Sequence, residues 1–159
     1  MFTAMRSMPS SSQKPATEKP ARDKLIEAAA ALYTGDAFHF DWSSKTLDAV
    51  KAFNAQTLIG GRGATAHGRA AVDAAIEQTR GFLQGMIDKV GEVHKQGGSL
   101  KQAFEATHEH LAPKFGMWPI FEHCLPFDVQ RLWDEMDGID WPRIWTAEKD
   151  QEVWDKLQD

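Results

Sequence analysis

The strongest pattern in the chain is an apolar seam through its middle. Val72, Ile76, Thr79, Leu83, Met86, Val90 and Val93 recur at alternating steps of four and three. That spacing puts side chains on one face of an α-helix, and it predicts a helix from Gly68 to about Lys95. Gly81, Gly85 and Gly91 lie off the seam and weaken the helix intrinsically, so packing has to hold it. "QGGS" ends the run, and Ser99 is placed to cap a second helix with Leu100, Phe104, Thr107 and Leu111 on its inner face. Pro113 is expected to stop that helix, because proline lacks the N–H and clashes with the preceding turn. Beyond it, "FGMWPIFEHCLP" reads as an aromatic loop and "FDVQRLWDEM" as a short helix. "TAEKDQEVWDKLQ" reads as a terminal helix capped by Thr146.

Upstream the pattern is shorter. "DKLIEAAAALYTG" is an alanine-rich helical or strand-like piece ending at Gly35. "DWSSKTLDAVKAFNA" predicts a helix with Ser43 or Ser44 as N-cap and Leu47, Val50 and Phe53 on one face. "QTLIGG" is the best strand candidate, being short, apolar and closed by glycines. Residues 1–22 are rich in Ser, Pro, Lys and Met without sustained periodicity, so disorder is expected there. That segment has no apolar core of the kind a secretory signal needs. The expected fold class is mainly α with one or two short β-strands. Three regions are expected: a disordered head (1–22), a strand–loop–helix region (23–95) and a helical, Trp-rich extension (96–159).

Composition narrows the function classes. A chain of 159 residues with 42% hydrophobic and 26% charged residues suits one soluble domain. A net charge of -5 argues against a general nucleic-acid binder, and no apolar run reaches the roughly 18–20 residues that span a bilayer. The single cysteine, Cys124, excludes an internal disulfide framework and suits a reducing cytoplasm. Of six tryptophans, Trp133, Trp141, Trp145 and Trp154 fall near the C-terminus. Such clustering points to a packed or partner-covered surface, with a second copy of the chain as one candidate partner.

Candidate chemistry sits in two stretches. Gly60, Gly61, Arg62 and Gly63 lie between the expected strand and the long helix, with His67 just beyond. Backbone N–H groups there would suit an anion, and a tight turn without a ligand accounts for the same residues. "YTGDAFHFDW" brings Asp36, His39 and Asp41 into a short span able to hold a divalent metal, or to serve as ordinary turn and cap residues. His108 and His110 form a His-x-His pair, but on a helix two residues apart they point about 200° from each other and cannot share one ion.

Taken in order, "ALYTGDAFHFDW", "SSKTLDAVKAF", "TLIGG", "GRG" and the helix from Arg69 resemble the C-terminal portion of a metallo-β-lactamase-fold hydrolase, over about Leu25 to Met86. The resemblance implies an αββα sandwich, of which region 23–95 would be one part, and zinc as the cofactor. It implies a metal-bridging aspartate after a glycine, a role for which Asp36 and Asp23 compete, with His39 beside them. Arg62 stands where the family's last metal-ligating histidine would be, and the His-x-His-x-Asp-His motif is not present. The resulting expectation is an incomplete hydrolase that binds no zinc tightly and lacks activity alone, its missing N-terminal half being the natural partner. A small helical interaction module is the alternative.

Overall fold

The computed structural model describes residues 33–60 and 64–158. In chain order these form α1 (His39–Asp41), a π-helical turn (Trp42–Thr46), α2 (Leu47–Ala52), β1 (Thr57–Leu58) and β2 (Ala66–His67). Then come α3 (Arg69–Lys95), α4 (Leu100–Phe115), α5 (Phe121–Met136) and α6 (Ala147–Gln158). The chain is mainly α with one two-stranded antiparallel sheet, in the register Thr57↔His67 and Leu58↔Ala66. The expected disordered head and the segment "DKLIEAAAAL" lie outside the described residues.

The seam helix sits at the centre of the core. Val72, Ile76, Thr79, Leu83, Met86 and Val90 are buried, and Val93 is half-buried against them. They meet Leu111 from α4 and Leu125, Val129 and Leu132 from α5. Full burial of each large aliphatic side chain is worth roughly 1.5–3 kcal/mol before entropy is counted. At one end Phe82 meets Phe115 edge to face at 5.4 Å and Trp118 at 5.6 Å, closing the bundle with aromatic area. Gly85 sets the approach of α4. A Cβ there would come within 2.7 Å of Leu111 Cδ2, so the glycine that weakens α3 also lets the two helices close.

Local signals explain most boundaries. Ser99 and Gln102 form a capping box at α4, each side chain bonding the other's backbone N–H. Thr146 accepts from the Lys149 N–H at the start of α6. Gly68, at φ 84°, turns the chain from β2 into α3.

Three expectations are corrected. The first helical run begins at His39, so Ser43 and Ser44 lie inside it; Ser44 Oγ donates to the Phe40 carbonyl instead of capping. Its outward turn leaves Phe53 80% exposed, and only Leu47 is fully buried among the three expected apolar residues. Pro113 does not end α4, which runs to Phe115. Proline so close to a helix end forfeits one backbone bond, to the Glu109 carbonyl, which a last turn tolerates. The aromatic "loop" is mostly helix, since α5 starts at Phe121 and takes Pro126 into its second turn.

Candidate functional site

The segment from Tyr33 to Asp41 is held against one face of α5. Asp128, Arg131 and Glu135 recur at steps of three and four, so they point the same way. The Thr34 N–H donates to Asp128 Oδ1 at 2.7 Å. Arg131 Nε donates to the Ala37 carbonyl at 2.8 Å, while its Nη1 and Nη2 donate to the carbonyls of Ile139 (3.0 Å) and Asp140 (3.1 Å). One guanidinium thereby ties the incoming segment to the chain leaving α5. Its plane also lies 5.4 Å from the Phe38 ring, whose edge meets Trp141.

His39 is fully buried at the centre of this network. Its Nδ1 lies 2.8 Å from Glu135 Oε1; an ionised carboxylate only accepts, so Nδ1 carries a proton. Its Nε2 lies 3.0 Å from Thr34 Oγ1, and its backbone N–H donates to the same Glu135 carboxylate at 2.9 and 3.1 Å. Burial works against ionising Glu135. The His39 side-chain and backbone donors, with the His39 and Arg131 charges, outweigh it and hold the carboxyl below its usual range. Asp128 goes the other way. Burial pushes its carboxyl up to about 7, the Thr34 and Gly35 donors offset only part of that, and the Asp36 charge adds to the rise. Asp128 Oδ2 has no hydrogen-bond partner among the described residues.

Hydroxyl, imidazole and carboxylate in line have the spacing of a proton relay. Thr34 and His39 are both 0% exposed, however, so no substrate carbonyl reaches the hydroxyl. The line Thr34–His39–Glu135 is a fastening, and its chemistry is positional.

That arrangement decides how the sequence candidates stand toward zinc. His39 engages both ring nitrogens with protein partners, leaving no lone pair for a metal as arranged. Asp36 is exposed on the loop and makes no hydrogen bond or ion pair with another described residue. Asp41 pairs with Lys45 on the surface at 2.7 Å. The described candidates therefore do not fit a zinc site. Among the described residues no group of three His, Cys, Asp or Glu side chains gathers to hold a metal. Asp23 lies outside the described residues.

The glycine stretch lies between β1 and β2. Gly60 is half-buried, while Gly61, Arg62 and Gly63 lie outside the described residues. His67 is exposed, with Nδ1 3.5 Å from Thr57 Oγ1 across the hairpin. No hydrogen bond or ion pair among the described residues joins Asp36 or His39 to Gly60 or His67. His108 and His110 part as expected on a helix: His108 bonds Glu122 at 3.0 Å and His110 is exposed.

Sequence reading passed over Thr34, Asp128, Arg131 and Glu135. Nothing local singles them out: on a helix the charged residues of "DVQRLWDE" fall on one side, the pattern of an ordinary wet face, and only the structure shows that side covered. Comparison with protein-family models finds no match, and comparison with curated protein sequences finds no relative. Among the described residues no helix is long and apolar enough to cross a membrane.

Proposed function

We propose that this chain is the C-terminal part of a metallo-β-lactamase-like hydrolase, with the metal-binding histidine motif lying in polypeptide outside these 159 residues. The observation that carries the reading is the hairpin at the glycine stretch. Among the described residues, β1 and β2, strands of two residues each, pair only with each other, while Ile59 beside them is 78% exposed and Phe53 80% exposed. A two-stranded hairpin of this length is marginal by itself, and a sandwich half supplied by other polypeptide would extend the edges and cover the apolar side chains. The order of Gly35–Asp36, helix, strand, Gly60–Gly63 and long helix supports the same reading. Metal-assisted attack on a carbonyl would belong to the assembled protein, and the role of this chain is to supply the glycine stretch and the helical layer behind it.

Elemental analysis of the purified chain, with turnover of a nitrophenyl ester measured with and without added zinc, tests the proposal. Substoichiometric zinc and no zinc-dependent turnover are expected. One zinc held tightly per chain, or zinc-dependent hydrolysis, would overturn it.

A second reading, a self-sufficient helical interaction module, is favoured by the closed core of α3, α4 and α5, where Leu83, Met86, Val90, Leu125, Val129 and Leu132 are 0% exposed. Light scattering separates the two: a stable monomer favours the module, and aggregation through open edges favours the partial hydrolase.

A further inference from the structure

On the side of the bundle formed by α4, α5 and α6 lies a groove of about 600 Å³. Phe104 of α4 and Phe127 of α5 line it, and Trp154 of α6, 61% exposed, stands at its rim. The terminal helix is seated through Val153, which is buried, and Leu157, which is half-buried, so the groove is an unfilled gap in its packing. Its size falls within the roughly 300–1,000 Å³ of small-molecule sites, which pair apolar walls with a few placed polar groups.

The polar groups are of one dominant sign. Glu105, Glu122 and Asp150 line the groove. Glu122 is held in place by His108 at 3.0 Å, and Asp150 accepts from the Trp145 indole N–H, whose ring packs edge to face on Phe127 at 4.7 Å. Glu105 has no hydrogen-bond or ion-pair partner among the described residues. The opposing charge is Lys101, whose ammonium already donates to the Gln158 carbonyl at 3.0 Å, and the titratable His123, whose ring lies edge-on to Phe127.

We propose that this groove binds a hydrophobic organic cation, an aryl- or alkylammonium compound of small-molecule size. Aromatic faces attract a cation through their quadrupoles, and three carboxylates around apolar walls favour it over an anion of the same shape. The inference stands independently of the hydrolase reading, because no residue of the hairpin or of the Tyr33–Asp41 segment lines the groove.

Benzyltrimethylammonium, benzyl alcohol and benzenesulfonate are the probes, titrated at pH 8 into the whole chain while the Trp154 indole N–H is followed by NMR. Saturable binding of the cation is expected, about tenfold tighter than that of the sulfonate. Glu105→Gln, at an exposed position, should weaken the cation about fivefold and leave benzyl alcohol unchanged. Trp154→Ala should weaken the cation about tenfold, with unchanged circular dichroism showing that the bundle is intact. The proposal is overturned if the sulfonate binds as tightly as the cation or if no probe saturates. It is equally overturned if Glu105→Gln affects neutral and cationic probes alike, or if the cation moves the Trp141 resonance and leaves that of Trp154 in place.

Discussion

Replacing Asp128 with asparagine isolates the energetic consequence of a buried carboxyl. A carboxyl whose folded pKa lies above its unfolded value stabilises the fold fully only below the unfolded value, and that contribution is lost as pH rises through the folded one. For Asp128 the window runs from the ordinary 3.8 up to about 7. At roughly 1.4 kcal/mol per pH unit, the full window amounts to about 4 kcal/mol, of which about 2–3 kcal/mol falls between pH 5 and pH 8. Asparagine keeps an oxygen to accept from the Thr34 N–H and removes the ionisation. Its amide nitrogen takes the place of Oδ2, which has no partner among the described residues, at a cost of about 1–3 kcal/mol at every pH. The absolute stability of Asp128→Asn therefore decides nothing, and its pH dependence decides everything. Urea unfolding of both proteins at pH 5, 6, 7 and 8 gives the difference directly, with the titrations common to both cancelling. Wild type should lose about 2–3 kcal/mol relative to the variant between the ends of that range. Parallel curves would refute the reasoning, since they would mean that Asp128 is equally ionised in folded and unfolded chains.

Two further substitutions test the packing. Gly85→Val puts a branched side chain where a Cβ already comes within 2.7 Å of Leu111 Cδ2; thermal unfolding should report a loss of about 1–3 kcal/mol, and a variant as stable as wild type would show that α3 and α4 are not in close contact. Arg131→Met removes three donors to the carbonyls of Ala37, Ile139 and Asp140 and takes away the guanidinium charge 3.5 Å from Glu135. A loss of about 3–5 kcal/mol is expected, with amide exchange accelerating first at Ala37–His39, and uniform acceleration across the chain would contradict a local clasp.

The legible part of this fold was the part with period. The seam from Val72 to Val93 placed α3 to within a residue at its N-terminal end, because one helix face meeting a core repeats itself in sequence. Ser99 and Thr146 were legible as caps because capping is a short-range bond between neighbours. Pro113 and Pro126 misled, since a proline near a helix end removes one hydrogen bond and burial of Leu111, Phe115 and Leu125 outweighs that. His39 was legible as a chemically capable side chain, but its carboxylate partner, Glu135, is 96 residues away, and nothing local announces a pairing across that distance. Trp141 and Trp154 marked an apolar surface, 77% and 61% exposed, yet periodicity says nothing about what covers it.

That separation also orders the folding of the chain. The contacts of α3 with α4 and of α4 with α5 join consecutive helices, whereas the clasp on Thr34, Ala37 and His39 closes loops of 94 to 96 residues. Contacts so distant form late, because chain entropy is lost before they return anything. The helical trio is therefore expected to act as a template on which the Tyr33–Asp41 segment condenses last and from which it detaches first, which pulsed amide exchange at Ala37–His39 would register as the latest protection gained.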